Sequence, residues 1–156
     1  MYLRRVILSL IMFLGFSAPV HAGSVNGAIN VSLTVLPGCT VSTNSLAFGG
    51  YVPLTSASAQ ATMTMNCSAG AAYAISLDEG LQGDGSTRRM TRADGATLPY
   101  DIYRDSAHRQ RWGAGSAAQA GTGSGRDTTL PIYAAIRPNA AQEGSYSDHV
   151  VVLITY

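Results

Sequence analysis

From residue 29 onward, the apolar positions of this chain tend to recur at every second residue. That spacing puts side chains on one face of a β-strand. Ile29, Val31, Leu33 and Val35 alternate with Asn30, Ser32 and Thr34, and Pro37 and Gly38 end the run. Ala61, Met63, Met65 and Cys67 alternate with Thr62, Thr64 and Asn66. Tyr73, Ile75 and Leu77 make a third run, and residues 101–104 and 130–136 predict two more strands. Within the second of these, Leu130, Ile132, Ala134 and Ile136 share a face. The last run sets Val150, Val152, Ile154 and Tyr156 on one face, with Val151 and Leu153 on the other. Turn-rich segments separate the runs, at Gly49 and Gly50, residues 80–86, Asp94 and Gly95, and residues 138–144. Helical periodicity is weak. The pattern predicts an all-β sandwich around one core. Residues 113–125 contain only Gly, Ala, Ser, Thr and Gln and are expected to form a mobile loop between strands.

The first 22 residues follow another rule. Arg4 and Arg5 precede an apolar run at residues 6–16, broken only by Ser9 and Gly15, and Val20-His21-Ala22 supplies the cleavage positions. These are the parts of a secretory signal, with the cut expected between Ala22 and Gly23. The apolar run is shorter than the ~20 residues of a membrane-spanning helix. Export changes the reading of the two cysteines. Cys39 and Cys67 both fall in the mature part, and an even count in an exported chain argues for one disulfide.

Charge excludes some function classes. Of the 10 basic residues, two lie in the predicted signal, so 8 Arg face 9 Asp and Glu, a net of −1. Such a chain has no basic excess for nucleic acid or an anionic membrane. It also has no Lys, which removes Schiff-base chemistry and lysine isopeptide cross-links. No catalytic constellation emerges. His108 sits in a polar stretch with Arg109 and Arg111, and His149 follows Asp148. Neither has a second His at metal-ligand spacing, so both are read as surface residues. Asp78 and Glu79 adjoin Gly80 and are expected to be solvated at a turn, with no calcium-loop pattern around them. Residues 121–125 are glycine-rich but match neither a phosphate loop nor a nucleophile elbow. The chain is expected to be no enzyme and to need no metal or other cofactor.

The two ends of the mature chain remain open to two arrangements. Both outer strands pair inside a closed sandwich, or they belong to a domain that lacks one strand and takes it from a neighbour. Here an ordered set of elements resembles the spore coat protein U family, which includes subunits of archaic chaperone–usher pili. The set begins with the alternating run before Cys39-Thr40-Val41, then Leu46-Ala47-Phe48-Gly49. Met65-Asn66-Cys67 with Tyr73-Ala74-Ile75 follows, then Leu98-Pro99-Tyr100-Asp101-Ile102-Tyr103 and Trp112-Gly113. Gly144-Ser145-Tyr146-Ser147-Asp148 leads into the strand ending Thr155-Tyr156. No single element is specific; the order is.

The resemblance implies an incomplete immunoglobulin-like sandwich completed by a donor strand. It implies a signal peptide at 1–22, a donor-strand segment at 23–34 and a pilin domain at 35–156. Ile29, Val31, Leu33 and Val35 are then the donor side chains, although Val35 also fits the first strand of the domain itself. Val150, Val152, Ile154 and Tyr156 would dock on a periplasmic chaperone. The implied function is a structural subunit of a surface pilus, serving adhesion or biofilm formation. Its implied partners are neighbouring subunits, a chaperone and an outer-membrane usher. The chain is expected to pass through the periplasm to the cell surface. With room for one domain, it reads as a shaft or adaptor subunit and not as a two-domain tip adhesin. The alternatives are a monomeric exported ligand- or carbohydrate-binding sandwich, and a component of a coat layer.

Overall fold

The computed structural model describes residues 26–156; the expected signal at 1–22 lies outside them. The chain divides between Thr34 and Val35 into two units. In the first, the described residues 26–34 form no strand, and Ile29, Val31 and Leu33 are almost fully exposed.

The second unit holds eight strands: β1 Cys39–Thr43, β2 Ala57–Cys67, β3 Ala72–Leu77, β4 Arg88–Thr91, β5 Thr97–Tyr103, β6 Gln119–Thr122, β7 Thr128–Ile136 and β8 Val152–Thr155. They form two antiparallel sheets, one in the order β1-β2-β7-β5-β4 and the other β6-β3-β8. β1 starts at Cys39, so Val35 lies outside it, exposed like the three aliphatics before it.

Period-2 alternation produces the core directly. In β2 Ala61, Met63, Met65 and Cys67 are buried, and the residues between them are half-buried. β7 turns Ile132, Ala134 and Ile136 inward, and β5 adds Leu98, Tyr100 and Ile102. Ile75 and Leu77 of β3 face them from the other sheet. Trp112 joins the layers: its ring is buried and its indole N–H donates to the Ile75 carbonyl at 3.0 Å. Pro131 is tolerated in β7 because the β5 ladder ends at Tyr103 opposite Tyr133, so that residue has a strand neighbour on one side only.

Cys39 and Cys67 stand directly opposite each other on β1 and β2 and form the disulfide. It ties the first strand to the body of the sheet across 28 residues of sequence. Replacing both with Ser is expected to lower the unfolding free energy by about 3–4 kcal/mol on the chain-entropy account. Urea unfolding of the oxidised protein against the variant measures it; a loss below about 1 kcal/mol would contradict the expectation.

The expected mobile loop at residues 113–125 is corrected. It contains a 3-10 turn at Gly115–Ala117 and the strand β6, which pairs with β3 from Ala72 opposite Thr122 to Ile75 opposite Gln119. Small residues are used here for close approach and not for slack. A Cβ on Gly121 would lie 2.4 Å from the Tyr73 hydroxyl oxygen, and one on Gly123 would lie 2.2 Å from the Ser68 carbonyl oxygen.

Candidate functional site: an open groove along β8

β8 is bonded to β3 on one side, and among the described residues no strand pairs with its other side. The orientation of its backbone follows from the neighbouring bonds. The Asp78 N–H donates to the Val151 carbonyl at 3.1 Å. Alternation along an antiparallel ladder then turns the N–H and C=O groups of Val152 and Ile154 towards the open side. Their side chains point into the core, where they are half-buried.

Beside this edge lies a groove of about 880 Å³. One wall is residues 43–53, which leave β1 and continue without strand pairing. The other is residues 141–152, which lead into β8. Leu77, Met90, Leu98, Tyr100, Ile132 and Ile136 contribute to the apolar floor. Leu46 and Phe48 are half-buried against the core from the first wall, and Phe48 meets the Tyr100 ring edge-on at 6.1 Å. The second sheet has three strands over a five-stranded partner, so the groove exposes core that a further strand would cover.

Polar contacts hold the walls apart and in place. Tyr100 donates its hydroxyl to Asp148 Oδ2 at 2.8 Å. Burial, then the Asp148 carboxylate, pushes the Tyr100 hydroxyl well above the usual phenol range, so it stays a neutral donor. Asp148 Oδ1 accepts the N–H of Leu81 at 2.9 Å. Thr91 and Ser147 exchange backbone hydrogen bonds of 2.8 and 3.0 Å. Arg92, at the start of the turn from β4 to β5, lies 5.8 Å over the Tyr146 ring, donates to Gln142 Oε1 at 2.6 Å and pairs with Asp94. Arg92, with the Ala96 N–H second, holds the Asp94 carboxyl down at about 2, so this pair stays ionised until the pH approaches that value. At the far end the walls meet. The Asn139 N–H donates to the Tyr51 hydroxyl at 3.0 Å, and the Leu54 N–H donates to the Asn139 carbonyl at 2.9 Å.

Of the C-terminal residues singled out by the sequence, Val150 and Val152 line the groove, Ile154 packs on the core and Tyr156 is exposed. Ile29, Val31, Leu33 and Val35 are 82–90 % exposed. The sequence reading missed most of the walls. Residues 138–144 read as a turn, and residues 43–53 carry only the short i, i+2 signal of Leu46 and Phe48. It also misjudged Asp78 and Glu79, which are not simply solvated. Asp78 Oδ1 accepts the Val151 N–H at 2.9 Å, and Glu79 pairs with Arg111. The partners are 73 and 32 residues away, beyond any local pattern. His108 is half-buried with its ring 5.1 Å from that of Tyr103, and His149 is exposed. Among the described residues no three His, Cys, Asp or Glu converge on a metal-sized space.

No curated protein sequence matches the chain. A solved structure does: the crystal structure of the CsuC–CsuE chaperone–tip adhesion subunit pre-assembly complex from archaic chaperone–usher Csu pili of Acinetobacter baumannii. The likeness has a TM-score of 0.59 at 26% identity and covers 79% of this chain and 41% of that one. This chain therefore spans less than half the length of the chain it matches. A family model, that of the Spore Coat Protein U domain, matches residues 25–153. That match covers both walls of the groove and the first half of β8, and by it the chain belongs to the spore coat protein U domain family.

Proposed function

We propose that this chain is a structural subunit of a surface pilus, assembled through a chaperone and usher by donor-strand complementation. The observation that carries the reading is the groove: a trough with an apolar floor, bordered by the backbone edge of β8 that no strand among the described residues pairs. An exposed edge beside exposed core invites uncontrolled pairing, and one extended strand satisfies both at once. Residues 23–34 of a neighbouring subunit supply that strand, with the adjoining Val35 as its last side chain. Ile29, Val31, Leu33 and Val35 enter the groove, and the donor backbone bonds to Val152 and Ile154. Before assembly a periplasmic chaperone covers the same surface, docking on Val150, Val152, Ile154 and Tyr156. Residues 1–22 are cleaved on export, and cleavage frees the donor segment. Residues 35–156 form the subunit body, which the usher passes to the cell surface, where the fibre serves adhesion or biofilm formation. The likeness to a chaperone–adhesion subunit complex supports this partner set.

Chaperone dependence is the test. A mature chain starting at Val35 is expected to accumulate in the periplasm only when co-expressed with its chaperone, at a level at least tenfold above that without it. A soluble, monomeric product of equal yield without the chaperone would overturn the reading. That outcome would favour a monomeric ligand-binding sandwich with the groove as its ligand site.

A further inference from the structure

The groove is closed at one end by the bonds among Tyr51, Leu54 and Asn139. Just outside this closure the chain makes a tight turn. Leu54 sits at φ 66°, a conformation that branched L side chains avoid. The Thr55 N–H and hydroxyl both donate to the Val52 carbonyl, at 3.2 and 2.6 Å. The tip is thus held in an unfavourable backbone state, and it turns two aliphatic side chains to solvent: Val52 is 66% exposed and Leu54 71%.

We infer that this tip, residues 52–54, is a second contact between copies of this chain, and that it receives Leu36 of the copy whose donor segment fills the groove. The inference rests on the donor-strand reading above. Direction comes first. Every strand pair among the described residues is antiparallel, the pairing that is slightly more stable per residue. The wall at residues 141–152 leads away from the closure into β8. A strand antiparallel to β8 therefore runs towards the closure, and Val35, the last donor side chain, arrives there.

Reach comes second. Val35 is four residues from Cys39, where β1 of the donating copy begins, a span of at most about 14 Å when fully extended. The body of that copy is held against the closed end of the groove. Leu36, the first residue past the donor run, is 77% exposed in the single chain. It emerges beside Val52 and Leu54, and the three side chains cover one another. The opposite insertion would deliver Leu36 to the other end of the groove, near Thr43.

Photo-crosslinking of assembled polymers tests this. The full-length subunit carries p-benzoylphenylalanine at position 54 and is expressed with its chaperone and usher. After irradiation and boiling, covalent dimers are expected, with the adduct mapping to residues 36–40 of a second copy. Leu36→Ser is expected to leave the unirradiated polymer ladder intact and to reduce the adduct at least fivefold. The same group at position 52 repeats the measurement if the first substitution lowers the yield. A wild-type chain that forms no detergent-resistant polymer overturns the donor-strand reading and this inference with it. A normal ladder with no adduct, or with adducts on other residues or on another protein, overturns the inference alone.

Discussion

A chain carrying Val31→Asp and Leu33→Asp is expected to reach the chaperone-bound state at the wild-type level and to form no detergent-resistant polymer. The two side chains are exposed in the single subunit, so charge there costs the folded domain nothing. In the groove the balance reverses. Four aliphatic side chains at ~1.5–3 kcal/mol each give a gross ~6–12 kcal/mol for the donor, part of it offset by ordering the segment. The double substitution removes about half of this gain and places two carboxylates over the apolar floor of the groove, at a cost of several kcal/mol each. Each 1.4 kcal/mol is a factor of about ten in affinity, so a loss of at least a thousandfold follows. Ladders in unboiled SDS gels measure it. Asn30→Asp with Ser32→Asp provides the face-specific control, since those positions point away from the groove and are expected to leave the ladder in place. Equal ladders in all three chains would show that another segment is the donor.

Arg88→Met is the second large effect. Arg88 is fully buried on β4, and its guanidinium links both sheets. It donates to Asp101 Oδ1 at 2.9 Å, to the Trp112 carbonyl at 2.9 Å and, through Nε and Nη2, to the Asp78 carbonyl at 2.9 and 2.6 Å. Asp101 also accepts Arg111 Nε at 2.8 Å. Arg111 is bound to Glu79 as well as Asp101, and the Glu79 hydrogen bonds lead in holding its proton even more firmly than usual. Methionine fills much of the volume but leaves the Asp78 and Trp112 carbonyls without this donor and Asp101 with one cation instead of two. Removing one member of a buried pair costs about 3–5 kcal/mol, a large share of the stability of a domain this size. The recovered chaperone complex is expected to fall at least tenfold, and Arg88→Lys, with fewer donors in a different geometry, is expected to rescue it only in part. Unchanged recovery of Arg88→Met would mean that the network is dispensable.

The network shows where sequence reading stops. Arg88 is followed by Arg89 in a polar stretch, and nothing local distinguishes the buried arginine from its neighbour, which is paired at the surface with Asp84. The difference lies in which face of a four-residue strand meets Trp112 and the end of β3, and that is set by contacts 10 to 24 residues away. β6 was misread for a similar reason. Gln119-Ala120-Gly121-Thr122 has neither β-branched residues before its last position nor a clear apolar face. It pairs with β3 where Gly121 stands opposite Tyr73 and leaves that ring its space.

What the sequence determined by itself was whatever one residue and its near neighbours can set. Period-2 alternation assigned the inward faces of β2, β7 and β8, since a strand places every second side chain on the same side whatever lies opposite. Two cysteines in a chain expected to be exported left one disulfide partner for each. Four alternating aliphatics ahead of Cys39 marked a strand-like segment. The tertiary structure alone decided that this segment forms no strand, and that among the described residues β8 keeps one edge unpaired beside a trough of uncovered core. An open edge is a property of what is not adjacent, and adjacency between residues far apart in sequence is fixed only when the two sheets pack.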